Sequence, residues 1–139
     1  MTKNELLKVF KNKKERIDSR TGKLVQGFKK TTFNEFHAWF DLTVFSEGCH
    51  YCGLTNGESA NLFKMQREGI RQDGTRGGKR GRRLEIDRKD PSQSYDNLNN
   101  IVWCCYWCNN AKSNFFTEAE FIPIGIEIGK SLRLILSTK

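Results

Sequence analysis

The chain's 139 residues hold 24 lysines and arginines against 16 acids, a formal charge of +8. That length suits a single domain, large enough for a core yet small enough to gain from a metal staple, and the charge points to a polyanionic partner, nucleic acid first. No run approaches the roughly 18 apolar residues of a membrane-spanning helix, and Met1 to Lys8 contains no apolar signal region, so a soluble protein of a reducing, cytoplasmic compartment is expected.

Thr2 with Glu5 reads as a capping box, and Leu6, Leu7, Phe10 and Ile17 recur at helical spacing, which predicts a first helix to about residue 19. Its lysines suit phosphate contacts and an ordinary solvated face equally. After the turn Arg20-Thr21-Gly22-Lys23, a second box at Thr32 and Glu35 opens a helix whose Phe33, Phe36, Trp39 and Phe40 form one aromatic stripe, read as core. His37 lies off that stripe, on the polar face.

Cys49-His50-Tyr51-Cys52 and Cys105-Tyr106-Trp107-Cys108 are two Cys-x2-Cys turns. Each brings two thiolates to one cation, and together they complete the tetrahedron that Zn2+ prefers, with no open position for chemistry. An odd total of five cysteines argues against a disulfide framework. Neighbouring strand residues face opposite ways, so only one of Cys104 and Cys105 turns to the metal; Cys105 is the expected ligand and Cys104 packs inward.

Between the thiol pairs, Arg71, Arg76, Lys79, Arg80, Arg82 and Arg83 are interleaved with glycines, which predicts a flexible basic loop ordered by nucleic acid, the alternative being a solvated insert. Six phosphate contacts on duplex DNA would give a salt slope of roughly −5. Leu84 to Asp87 alternates as a short strand, residues 88–99 are loop, Ile101 to Cys104 is a second strand, and residues 109–116 suit a helix begun at the second thiol pair. Thr117 and Glu120 form another capping box; Ile122, preceding Pro123, is expected to leave the helical region, and the apolar stretch 124–136 fits strand or helix by its own pattern.

Strand, loop, strand and helix in that order, with Leu84-Glu85-Ile86-Asp87-Arg88 before Asn100 and Cys105-x2-Cys108-Asn109-x2-Lys112 after it, resemble the HNH (ββα-metal) endonuclease motif. Most of that family has histidine after the aspartate. Arg88 stands here instead, and arginine cannot take a proton at neutral pH. Asp87-Arg88 with Tyr95 is similar to the PacI-type small restriction endonucleases, a likeness that covers residues 31–130 and not 1–30.

The resemblance implies a zinc-stapled ββα core (84–116) within a zinc-clasped region (31–116) and a C-terminal helix (117–139), which with the N-terminal helical extension (1–30) read from its own capping box and periodicity makes one α+β domain over residues 1–139. It implies a sequence-specific double-stranded DNA endonuclease, bacterial or phage-encoded, acting as a homodimer on a palindrome. Asp87 and Asn109 would hold Mg2+, with Mn2+ as the alternative; Arg88 would grip the phosphate; Tyr95 would orient or deprotonate water; Asn100 would hold the loop; Lys112 would meet a neighbouring phosphate. A homing or nicking HNH enzyme and a zinc ribbon without activity are the rival readings.

Overall fold

The computed structural model describes residues 1–138. Its elements are α1 (Lys3–Asn12), β1 (Arg16–Ile17), β2 (Leu24–Val25), α2 (Phe33–Trp39), α3 (Leu42–Ser46), α4 (Asn56–Arg67), β3 (Glu85–Arg88), β4 (Ile101–Cys104), α5 (Tyr106–Lys112) and α6 (Glu118–Ser137). Two antiparallel ribbons, β1-β2 and β3-β4, are the sheets. In β3-β4, Glu85 pairs with Cys104 and Asp87 with Val102, so Glu85 and Asp87 share one face.

Capping boxes at Thr2, Thr32, Thr55 and Thr117 start α1, α2, α4 and α6, each threonine hydroxyl accepting from the amide three residues on. The core is largely aromatic. Phe28 and Phe36, both fully buried, stack around Phe10, and Phe36, Trp39, Phe40 and Phe45 surround Trp103 of β4.

Several expectations need correction. The first helix ends at Asn12, and Ile17 belongs to β1, exposed. The reason is Asp18, whose carboxylate accepts from the amides of Arg20 (2.8 Å) and Thr21 (3.4 Å), a local turn that competes with helix. The helix at the second thiol pair starts three residues before Asn109, because Cys105 is itself the N-cap and accepts from the Cys108 amide. Pro123 lies inside α6, so Ile122 does not leave the helix, while residues 124–136 are helical as the resemblance implied. The ring is on the exposed side, and the helix is fastened before it by Phe121 and beyond it by Gly125, Gly129 and Leu132, all buried.

Those glycines explain how α6 reaches the first cysteine turn. A Cβ on Gly125 would lie 2.7 Å from Tyr51 Cβ, and one on Gly129 2.7 Å from Cys52 Cβ. Arg133 adds a hydrogen bond to the Cys52 carbonyl (3.1 Å). On an open helix Gly→Ala stabilises by up to about 1 kcal/mol. Here the sign reverses: Gly129→Ala is expected to destabilise by about 1–3 kcal/mol through overpacking, read as a lowered midpoint in urea unfolding.

Candidate metal centre and active site

The sulfurs of Cys49, Cys52, Cys105 and Cys108 all lie within 4.8 Å of one another. Tetrahedral zinc with Zn–S near 2.3 Å requires S···S of roughly 3.8 Å, the observed Cys52–Cys105 separation being 3.8 Å. Amides of Leu54 and Cys108 point at Cys52 Sγ (3.5 Å) and Cys105 Sγ (3.4 Å). Gly48, at φ +88°, permits the turn, since a side chain there would strike the Leu54 carbonyl. This donor set fits a structural zinc. Cys104 is buried on β4 and donates to the Cys105 carbonyl at 3.3 Å, outside the converging four.

The clasp ties the start of α5 to the Cys49–Cys52 turn, and across the seam between α5 and β3 lie the chemistry-bearing side chains. Asn109 Nδ2 donates to Glu85 Oε1 (3.0 Å), while one turn on, Lys112 Nζ approaches Asp87 Oδ2 at 3.4 Å and donates to the Arg88 carbonyl at 2.7 Å. Tyr51 donates its hydroxyl to the same Asp87 oxygen (2.7 Å). Burial pushes the Asp87 carboxyl above its ordinary range, against the pull of Tyr51 and Lys112, and burial with the Asp87 charge raises the Tyr51 phenol. Asp87 Oδ1 makes no hydrogen bond, and because no buried side-chain polar atom among the described residues lacks a partner, it reaches solvent. The Asn109 carbonyl oxygen likewise has no hydrogen-bond partner among the described residues. One carboxylate and one amide oxygen are hard donors suited to Mg2+.

Arg88 is buried and fully held. Its guanidinium donates to Gln93 O (3.1 Å), Gln26 Oε1 (2.8 Å) and Asn114 Oδ1 (3.2 Å) and lies 4.6 Å from the centre of the Tyr95 ring. Lys13 Nζ also lies over that ring, at 4.2 Å. Asn100 brackets the connecting loop: its amide accepts from the Asp90 N–H and donates to the Asp90 carbonyl, both at 3.0 Å.

Lys112 has no exposed surface, so its expected place at a neighbouring phosphate is corrected: its charge is spent within the fold on Asp87 and Arg88. The basic loop also differs from the flexible segment expected. Gln66 holds it by bonding Gly74 and Thr75, Ser59 donates to the Gly81 carbonyl, Arg80 forks onto Glu85, and Arg82 lies over Phe63. Arg71, Arg76, Lys79 and Arg82 stay exposed, with Arg80 and Arg83 half-buried. Lys79 to Arg83, together with Asn12, Lys13, Arg16, Gln26, Glu85 and Asn109, line a groove of about 450 Å³.

Asp96 was not singled out by its sequence context. Its carboxylate collects the amides of Lys29, Lys30 and Thr31 and the Thr31 hydroxyl (2.7 Å), fastening the N-terminal segment beside Tyr95. Burial raises this carboxyl, but the bonds from Thr31, Lys30 and Lys29 outweigh it, and the net direction is down. That stabilisation is present above the ordinary carboxylate range and is lost as pH falls through the lowered folded value. Asp96→Ala should remove the acid-dependent part of the melting profile below pH ~4 and loosen residues 28–31, seen as faster amide exchange there.

No protein-family model matches the chain, and no curated protein matches it. Among solved structures it is similar to the rare-cutting HNH restriction endonuclease PacI, a protein that perturbs DNA, at 28% identity and a TM-score of 0.57, over 75% of this chain and 66% of PacI. The fold is PacI-like HNH. The chain thus spans just under two thirds of PacI's length, and the four-cysteine cluster, compatible with structural zinc, stands beside a ββα arrangement of β3, β4 and α5. No helix among the described residues is long and apolar enough to cross a membrane.

Proposed function

We propose that the protein is a divalent-metal-dependent, sequence-specific DNA endonuclease of the restriction type. The observation that carries this reading is the seam between β3 and α5, where Asp87 and Asn109 each keep one oxygen free of hydrogen bonds among the described residues and Asn109 lines a basic groove. A bound Mg2+ would supply charge relief on the phosphate and a more acidic water.

The protein's own groups do the rest. Arg88 exchanges the neutral acceptors Gln26 and Asn114 for a phosphate oxygen, an exchange favoured by charge, and offsets the negative charge that grows as the phosphorus becomes five-coordinate. Tyr95, under two cations, orients the attacking water or takes its proton. Asn100 keeps the loop that carries Tyr95 in register with the end of β3, and Lys112 with Tyr51 fixes the carboxylate of Asp87. Exposed Ile122, Ile124, Ile126 and Leu134 on α6 support a homodimer, which would present one site to each strand of a palindrome.

The test is direct. Zinc-loaded protein is incubated with supercoiled plasmid and phage DNA in Mg2+, Mn2+ or Ca2+; discrete fragments in the first two support the reading, linear plasmid indicates two coordinated cuts and open circles indicate nicking. Binding with no cleavage in any metal favours a zinc ribbon that only binds.

A further inference from the structure

The β1-β2 ribbon belongs to the N-terminal extension, which the sequence likeness does not cover. It is built independently of the core: the amides of Asp18 and Gly22 close it on Lys23 O and Asp18 O (2.9 and 2.8 Å), and the Asp18 carboxylate holds the turn. Its base is fixed by Glu15 and Phe28, through Glu15 N–H to Phe28 O and Phe28 N–H to Lys13 O, with Phe28 buried. The ribbon therefore stands off the protein as a braced two-stranded projection.

Its free face is unusual. Ile17 and Leu24 are direct cross-strand partners, so their side chains stand together, yet they are 62% and 53% exposed. Exposed cations flank the pair along the ribbon: Arg16, Arg20 and Lys23. The nearby acids are committed, Glu15 to Lys29 (3.7 Å) and Asp18 to its own turn. A second copy of a chain bearing +8 would be repelled from this tip, whereas a polyanion is attracted. The ribbon is also continuous with the groove, because Arg16, Val25 and Gln26 line it and Gln26 accepts directly from Arg88.

Resting on the endonuclease reading, the geometry points to the Arg16–Val25 ribbon as a sequence-reading element that enters the DNA major groove beside the scissile phosphate. That groove admits a two-stranded β-ribbon, and it displays the thymine methyl, the one base-edge feature an exposed Ile–Leu pair recognises. Arg20 and Lys23 at the tip meet the flanking phosphates and carry no sequence information themselves. Gln26 links what the ribbon reads to where Arg88 sits.

The experiment selects binders from a pool of randomised duplexes in Ca2+, using wild-type protein, Ile17→Ser/Leu24→Ser and Arg20→Ala/Lys23→Ala. All four positions are surface ones, and a thermal melt checks that each variant folds. Wild type should enrich thymine at defined positions that the first variant no longer enriches. Replacing those thymines by deoxyuridine should weaken wild-type binding about fourfold per methyl and leave that variant's binding unchanged. Arg20→Ala/Lys23→Ala should weaken all sequences alike and reduce the salt slope by roughly 2. If the Ile17→Ser/Leu24→Ser protein selects the same sequences with the same affinity, or loses all sequences equally, the ribbon is no reader, although wild-type cleavage of the selected site would leave the nuclease reading standing. If wild-type protein neither binds nor cuts any duplex, both fall.

Discussion

On the proposed reading, Asp87→Asn should bind duplex DNA as tightly as wild type and cut it at least about 10³-fold more slowly, since the divalent cation that the carboxylate would hold is the group expected to supply several kcal/mol of charge stabilisation to the transition state. The asparagine oxygen can still accept from Tyr51, so the seam between β3 and α5 persists without the charge that would hold the divalent cation. A pH series sharpens the prediction. As the proposed metal ligand Asp87 would have to be ionised, and burial raises its pKa above the ordinary 3.8, so the acid limb of the rate profile is expected above that value. Lys112→Met removes a cation that favours the ionised form and should move the limb to still higher pH.

The same shift has a stability signature in protein kept free of divalent cations other than zinc. A carboxyl raised on folding contributes stability that is present below its unfolded pKa and lost as pH rises through its folded one. Wild type should lose stability across that window, and Asp87→Asn should not. Equal cleavage by Asp87→Asn and wild type would place the active site elsewhere.

How much of this was legible beforehand depends on distance along the chain. The capping boxes at Thr2, Thr32 and Thr117 announced three helix starts because the signal is complete within four residues. Thr55 with Glu58 carried the same mark for α4 and was passed over between the cysteine turn and the basic loop. The apparent helix through Ile17 failed because apolar spacing says nothing about Asp18, whose turn diverts the backbone. Pro123 misled in the other direction: contacts made by Gly125 and Gly129 with the cysteine turn sustain α6 past it.

In the site, Asp87, Asn109 and the four cysteines stood out by spacing, and Glu85 was within reach of the same logic, being two residues from Asp87 on one strand face. Tyr51, Gln26 and Asp96 were not. Each meets its partner across 36, 62 and 65 to 67 residues respectively, and no local pattern encodes such a contact. Lys112 shows the converse error: a lysine in a basic chain suggests phosphate, but its burial is decided by Asp87 and the Arg88 carbonyl across the seam.

Cys108→Ser should leave the chain without bound zinc and without a cooperative unfolding transition at room temperature. Structural zinc contributes about 10–16 kcal/mol of apparent binding energy in small zinc domains, comparable to the roughly 5–15 kcal/mol by which a whole domain is stable. The dependence is concentrated here because the four sulfurs join the parts that build the seam: the Cys49–Cys52 turn carries Tyr51 and receives α6 at Gly125 and Gly129, while Cys105 caps α5, which presents Asn109 and Lys112. Cys104→Ala is the discriminating control. It removes a buried thiol outside the cluster and should cost only about 1 kcal/mol while zinc stays at one per chain by atomic absorption. Zinc-free Cys108→Ser that melts like wild type would show that the core holds itself without the clasp, whereas zinc loss in Cys104→Ala alone would move the fourth ligand one residue back along β4 and turn the cap of α5 away from the metal.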